Sequence, residues 1–170
     1  MMDGTKMSSE VHSFVARAAT LLSLATVGLA VSSDRAAAQA TDAAAGQKVY
    51  AQVCLGCHTE AGTGNPGVYP PLDGSEWVNS APERLLNILI HGLTGPVTVA
   101  GEEYTGLMPG WGASLKDAEI AAVATYIRSA WGNFSNAISE AQVAAVRAAT
   151  KARTTPWTAA ELVAATPAEK

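Results

Sequence analysis

Residues 54–58 read Cys54-Leu55-Gly56-Cys57-His58, and Cys54 and Cys57 are the only cysteines among 170 residues. The pattern C-x-x-C-H is the covalent attachment signature of haem. Each thiol can bond one vinyl group, and the adjacent imidazole is then held where it can ligate the iron. Two other readings compete for the same residues. A redox dithiol expects a βαβ context, and the flanking sequence offers none. A structural zinc site needs about four ligands, commonly from two such pairs, and this chain has one pair.

Outward from the motif toward the N-terminus, the first forty residues read as a targeting segment. Ala18 to Val31 (AATLLSLATVGLAV) is an uncharged apolar run of fourteen residues. A transmembrane helix needs about 20 such residues, whereas a signal-peptide core needs about 7–15. Ala38-Gln39-Ala40 fits the small-x-small cleavage rule, so cleavage is expected after Ala40, with residues 1–40 as signal peptide. An uncleaved membrane anchor and an ordinary buried helix are the alternatives. Export is consistent with the motif, because covalent haem attachment in bacteria takes place outside the cytoplasm.

Cleavage shortens the list of iron ligands. Residues 1–40 hold Lys6, Arg17 and Arg35 against Asp3, Glu10 and Asp34, so the formal net charge of −4 stays with the mature chain. Met1, Met2, Met7 and His12 leave with the leader, so Met108, His58 and His91 are the remaining soft or imidazole ligands. His58 is the expected proximal ligand. Met108 lies in Gly106-Leu107-Met108-Pro109-Gly110, whose small and rigid neighbours suit a loop that lays one side chain over a haem. Most methionines simply fill cores, but a thioether opposite a histidine also raises the potential of a haem iron. His91, at the end of a predicted helix and before Gly92, is the rival. There a histidine more often favours the helix dipole.

The composition is 48% hydrophobic and 15% charged, the latter below the usual figure of about 25%. Basic residues are too sparse for a nucleic-acid surface. Helices are predicted from Asp42 to about Val53, from a Ser80…Glu83 capping box to about Ile90, and from Asp117 to Trp131. Glu60 to Gly74 is broken by seven glycines and prolines and reads as an extended wrap. Val97-Thr98-Val99 and Tyr104-Thr105, joined through Ala100 to Glu103, suggest a small β-hairpin. Two further capping boxes, Ser139…Gln142 and Thr158…Glu161, open a helix to about Arg153 and a last short one. Trp157 and Leu162 occupy staple positions around the latter.

Taken in order, these parts resemble class I c-type cytochromes over about Asp42 to Gly132: a first helix with Gly46 and Tyr50, C-x-x-C-H, Pro-Pro-Leu-x-Gly at Pro70 to Gly74, Met108-Pro109, and a last helix with Tyr126. The resemblance implies an all-α cytochrome c fold, with helices packed around one covalently bound haem c, a short hairpin and a helical tail. It divides the chain into 1–40, 41–132 and 133–170. It implies that the first and last helices cross at Gly46, Tyr50 and Tyr126, that the carbonyl of Pro70 (or Pro71) accepts a hydrogen bond from His58, and that Leu72 packs on the haem. Tyr69, Trp77, Arg84 and Trp111 are candidates for lining the pocket or meeting propionates. The family opens its last helix with a serine cap, whereas Lys116 precedes Asp117 here, so Asp117 is expected as a substitute cap. The tail resembles that of cytochromes that accompany dehydrogenases, copper nitrite reductases and terminal oxidases.

The function implied is one-electron transfer in the periplasm, on a haem held by Cys54 and Cys57 and ligated by His58 and Met108. No catalytic constellation stands apart from the haem. The expected partners are redox proteins: a donor dehydrogenase or cytochrome, and an acceptor oxidase or reductase. Membrane association would require an uncleaved N-terminus. The alternatives are a haem-bearing subunit of a larger oxidoreductase, docked through a tail whose alanine stripe is Ala141, Ala144, Ala145 and Ala148, and a haem enzyme or gas sensor with an open iron site.

Overall fold

A computed structural model describes residues 43–166. The predicted signal peptide and the predicted helix start at Asp42 lie outside the described residues. Helix α1 covers residues 43–53 and buries Gly46, Val49 and Tyr50 on one face, the i, i+3, i+4 spacing that its sequence dictates. That face crosses α4 (Asp117–Ser129). A Cβ at Gly46 would overlap the carbonyl of Ala122 and lie 2.8 Å from Tyr126 Cβ, so only glycine permits the approach. Tyr50, Tyr126 and Trp131 close the crossing as an aromatic trio, with ring centroids 5.4–5.6 Å apart. The helix crossing implied by the family resemblance is present.

The short α2 (Leu55–His58) follows α1 with almost no break. The amide of Cys54 donates to Tyr50 O (2.9 Å) and that of His58 to Cys54 O (3.0 Å), so helical hydrogen bonding runs through the C-x-x-C-H motif. Helix α3 (Pro82–His91) is central, with Leu85 to Ile90 all buried. The predicted Ser80…Glu83 capping box does not form: Ala81 is the cap, and the Ser80 hydroxyl donates to Trp77 O (3.0 Å). Pro82 explains this, because the residue before a proline is pushed out of the α region, which delays the helix start. At the other end Gly92, with φ 88°, stops the helix as expected.

Strands β1 (Gly92–Val99) and β2 (Glu102–Pro109) form an antiparallel hairpin of eight residue pairs, from Gly92↔Pro109 to Val99↔Glu102. The otherwise helical fold is therefore not all-α, and the hairpin is longer than expected. Met108 lies in a strand, paired with Leu93, and not in a loop. The tip is a two-residue turn, Ala100-Gly101, with φ 51° and 82°. Turns of that kind are usually announced by Asn-Gly or Asp-Gly, and alanine at positive φ hid this one. Two side chains fasten the tip to residues 76–77: the Ala100 amide donates to Glu76, and Trp77 Nε1 donates to Thr98 O (2.8 Å).

Helix α4 is capped by Lys116, whose amide donates to Glu119 (2.8 Å). The expected substitute cap, Asp117, is instead the first helical residue, and its carboxylate pairs with Arg147 (2.8 Å). The helix also ends at Ser129, before Trp131, whose φ of 55° turns the chain. Helices α5 (Glu140–Ala149) and α6 (Ala159–Ala165) carry the two predicted capping boxes. Helix α5 stops four residues short of Arg153, where the Thr150 hydroxyl donates back to Val146 O (2.8 Å). Ile138, Val143 and Val146 join the core built by α1, α3 and α4, and α6 packs on β1 and α3. Residues 133–166 thus wrap the rest of the fold. Valines form the packing face of α5, and the alanine stripe is exposed.

Candidate haem-binding site

The motif and the hairpin face one cleft. Its outer part is lined by Cys54, Cys57, His58, Tyr69, Pro70, Met108 and Trp111, together with hairpin residues Leu93, Val97 and Tyr104. Its inner part is lined by Pro71, Leu72, Trp77, Leu85, Leu89 and Ile127, and shares Cys54, His58, Pro70, Leu93, Val97 and Met108 with the outer part. Every residue predicted for the site, Cys54, Cys57, His58, Pro70, Leu72 and Met108, is therefore at one cavity.

His58 is 7% exposed, and its Nδ1 lies 3.0 Å from Pro70 O. A carbonyl only accepts, so Nδ1 carries the proton and Nε2 keeps its lone pair, which no described residue engages. Burial lowers the imidazole pKa, against an opposing push from the Pro70 hydrogen bond, and keeps the ring neutral. A neutral, oriented imidazole with a free nitrogen is a ready metal ligand. Pro70 is held in turn by its loop: Leu72 and Asp73 donate to Gly62 O (2.7 and 3.0 Å), and Gly64 donates to His58 O (3.1 Å).

Both cysteines are free thiols, Cys54 buried and Cys57 exposed. Burial, and then the neighbouring Cys57, push the Cys54 thiol up to about 11. Among the described residues no group of three His, Cys, Asp or Glu side chains could hold a metal ion, so the zinc reading finds no further ligands. An apolar cleft with two thiols, an imidazole with Nε2 free and a thioether on its walls fits a haem in donor chemistry.

Two candidates fall elsewhere. His91 does not line the cleft: its Nε2 lies 2.7 Å from Thr150 Oγ1 in the tail, and burial followed by Arg153 and Arg147 lowers its pKa. Arg84 does not line the cleft either. Its Nε donates to Thr166 Oγ1 (3.0 Å), and the guanidinium lies 5.4 Å over the Trp77 ring.

Sequence reasoning missed Asn133, which is completely buried. Its Oδ1 accepts from Gly74 N (3.0 Å) and Asn79 Nδ2 (2.7 Å), while its Nδ2 donates to Leu72 O and Ile127 O (both 2.9 Å). With the Gly132 amide donating to Asp73 (2.7 Å), it clamps the Pro70–Gly74 loop to the end of α4. A Gly-Asn pair after a helix signals a stop, and nothing in it signals a clamp.

A family model described as cytochrome C oxidase, cbb3-type, subunit III matches residues 41–127. The chain belongs to the c-type cytochromes. The family implies covalently bound haem c, and the cleft fits it. Cytochrome c-552 of Thermus thermophilus is 46% identical over 92 residues, covering 52% of this cytochrome and 69% of that relative. The cytochrome c subunit of the quinone alcohol dehydrogenase of Gluconobacter oxydans (strain 621H) is 37% identical over 90 residues, 52% of this chain but 19% of the relative. FixP, a cbb3-type cytochrome c oxidase subunit from Bradyrhizobium sp. (strain ORS 278), is 33% identical over 95 residues, 55% of this chain and 29% of the relative. The cytochrome thus spans less than a third of each of these larger subunits. No helix among the described residues is long and apolar enough to cross a membrane.

Proposed function

We propose that this cytochrome carries single electrons on one haem c, bonded through Cys54 and Cys57 and ligated by His58 and Met108, in the periplasm after loss of residues 1–40. The observation that carries the reading is the convergence of those four side chains on one apolar cleft. When bound, haem c supplies an iron that accepts and releases one electron. The protein's residues do the rest. Cys54 and Cys57 anchor; Pro70 O orients the His58 ring and strengthens it as a donor. Met108 supplies a soft, neutral donor that favours the reduced metal, and Leu72, Leu89 and Ile127 exclude water from the inner face.

The mouth of the cleft suits a protein partner. Leu55, Val68, Tyr69 and Leu107 are exposed around Cys57, and Leu107 is the most exposed of them at 67%. Docking there would be largely apolar, with modest dependence on salt. The similarity to dehydrogenase and oxidase subunits favours a second reading, in which the cytochrome serves within a larger oxidoreductase. Residues 133–166 would then brace the fold, with the exposed alanine face of α5 left for a partner.

A potentiometric titration of the purified protein, followed by exposure of the reduced form to carbon monoxide, separates these readings from an open-site haem enzyme. The expected result is a reversible one-electron transition and no rapid carbon monoxide binding. Rapid binding would contradict the carrier reading.

A further inference from the structure

Residues 140–166 reach Met108 from two sides. On one side, Trp157 brackets Leu93, the cross-strand partner of Met108: its amide donates to Gly92 O (3.0 Å), and its carbonyl accepts from Thr94 N (2.8 Å). The Arg153 guanidinium lies 3.5 Å over the Trp157 ring and holds it there. On the other side, Arg147 spans the loop that follows Pro109. It donates from Nη1 to Gly112 O (2.7 Å), from Nη2 to Leu115 O (3.3 Å) and from Nε to Asp117 Oδ1 (2.8 Å). That loop carries Trp111, which lines the cleft, and it is fastened to α3 by only two backbone bonds, Trp111 N to Leu89 O (2.8 Å) and Gly112 N to Ile90 O (3.0 Å). A two-stranded hairpin is marginal alone, so the placement of its seventh β2 residue depends on what holds its ends.

We propose that the C-terminal segment is the positioning element for the Met108 thioether, with Arg147 as the residue that fixes the loop beyond it. The proposal rests on the ligation assigned to Met108 above. Only a planar, five-donor guanidinium can meet three acceptors in one plane, so lysine is a partial substitute. Local opening of this loop would swing Met108 away and expose the iron to an added ligand.

The test uses the holoprotein and three variants: Arg147→Gln, Arg147→Lys, and Ser139→Ala, which removes the α5 cap but leaves the acceptors of Arg147 in place. Imidazole affinity of the ferric form, amide exchange at Trp111 and Gly112, and melting temperature are measured together. Arg147→Gln should raise imidazole affinity roughly tenfold or more, the scale of losing charge-assisted hydrogen bonds, and should speed both amides. Arg147→Lys should recover part of the change. Ser139→Ala should lower the melting temperature while imidazole affinity stays within about twofold. Equal gains in imidazole affinity for Arg147→Gln and Ser139→Ala at equal thermal loss would overturn the proposal, and so would unchanged affinity and exchange in Arg147→Gln. A wild-type ferric protein lacking the long-wavelength thioether–iron band would instead sink the ligation reading, whatever the amides do.

Discussion

The two walls of the cleft are held by different means. The histidine wall is made of chain segments near each other in sequence: α1, the motif and the Pro70–Gly74 loop, locked by the α1–α4 crossing and by Asn133. The methionine wall is a hairpin that has little core of its own, a cluster of Val97, Val99 and Tyr104, and it is held from outside by Glu76, Trp77, Arg147 and Trp157. The first wall combines a buried helix crossing with the Asn133 clamp, and the second relies chiefly on hydrogen bonds from outside it. Loss of a contact should therefore unfold the first wall and merely loosen the second.

Gly46→Val would strike the histidine wall hardest. Its side chain must occupy the space of the Ala122 carbonyl, and overpacking of this kind costs about 3 kcal/mol. Thermal melting of the holoprotein should show a large loss of stability, and a near wild-type melt would mean that the crossing is not a close one. Asn133→Ala leaves Gly74 N, Leu72 O and Ile127 O without the partners they have now. A loss of about 2–3 kcal/mol is expected in denaturant unfolding, together with a changed potential, because the loop bearing Pro70 is released. Gly92→Ala tests the methionine wall. Its φ of 88° and the backbone of Met108 and Gly110 beside it leave no room for a Cβ, for a cost of about 1–3 kcal/mol. The thioether–iron band should weaken at temperatures where the fold is intact, which sharpens the contrast with Gly46→Val.

The smallest effect is one of pH. His91 sits between the walls and the tail, near Arg153 and Arg147, and its pKa in the folded protein is lowered from 6.5. The unfolded chain therefore takes up this proton first as pH falls, and stability declines below about pH 6.5. His91→Gln should flatten the acid side of the melting-temperature profile between about pH 7 and 5. A profile identical to wild type would show that His91 is not held neutral by the fold.

The same contrast explains what the sequence made legible. The C-x-x-C-H motif, Gly46 with Tyr50, and the Ser139 and Thr158 boxes are local patterns, and each appears where expected; the meeting of Gly46 with Tyr126 was implied by the family resemblance. The proximal imidazole was legible because it adjoins Cys57 in the motif, whereas its Pro70 partner was legible only through the family resemblance, which left Pro71 open as well. The extent of the hairpin was hidden, because a turn built on Ala100 carries no turn signal and glycines at 92, 95 and 106 masked the strand period. Arg147 acts across 30 to 35 residues of chain, and the contacts of Asn133 with Leu72 and of Trp157 with Gly92 and Thr94 across more than 60, and no spacing rule reaches that far. The partner of Arg84 was hidden for the same reason: it is Thr166, at the far end of the described chain.

The central claim is that His58 and Met108 meet at one metal centre. Proton NMR of the reduced holoprotein tests it most directly, because a methionine bound to low-spin iron has its methyl shifted far upfield by the haem ring current. One such methyl is expected in the wild type, retained in His91→Gln and absent in Met108→Ala, whose haem should remain covalently attached. A wild-type spectrum without that methyl, or one that keeps it in Met108→Ala, would contradict the assignment.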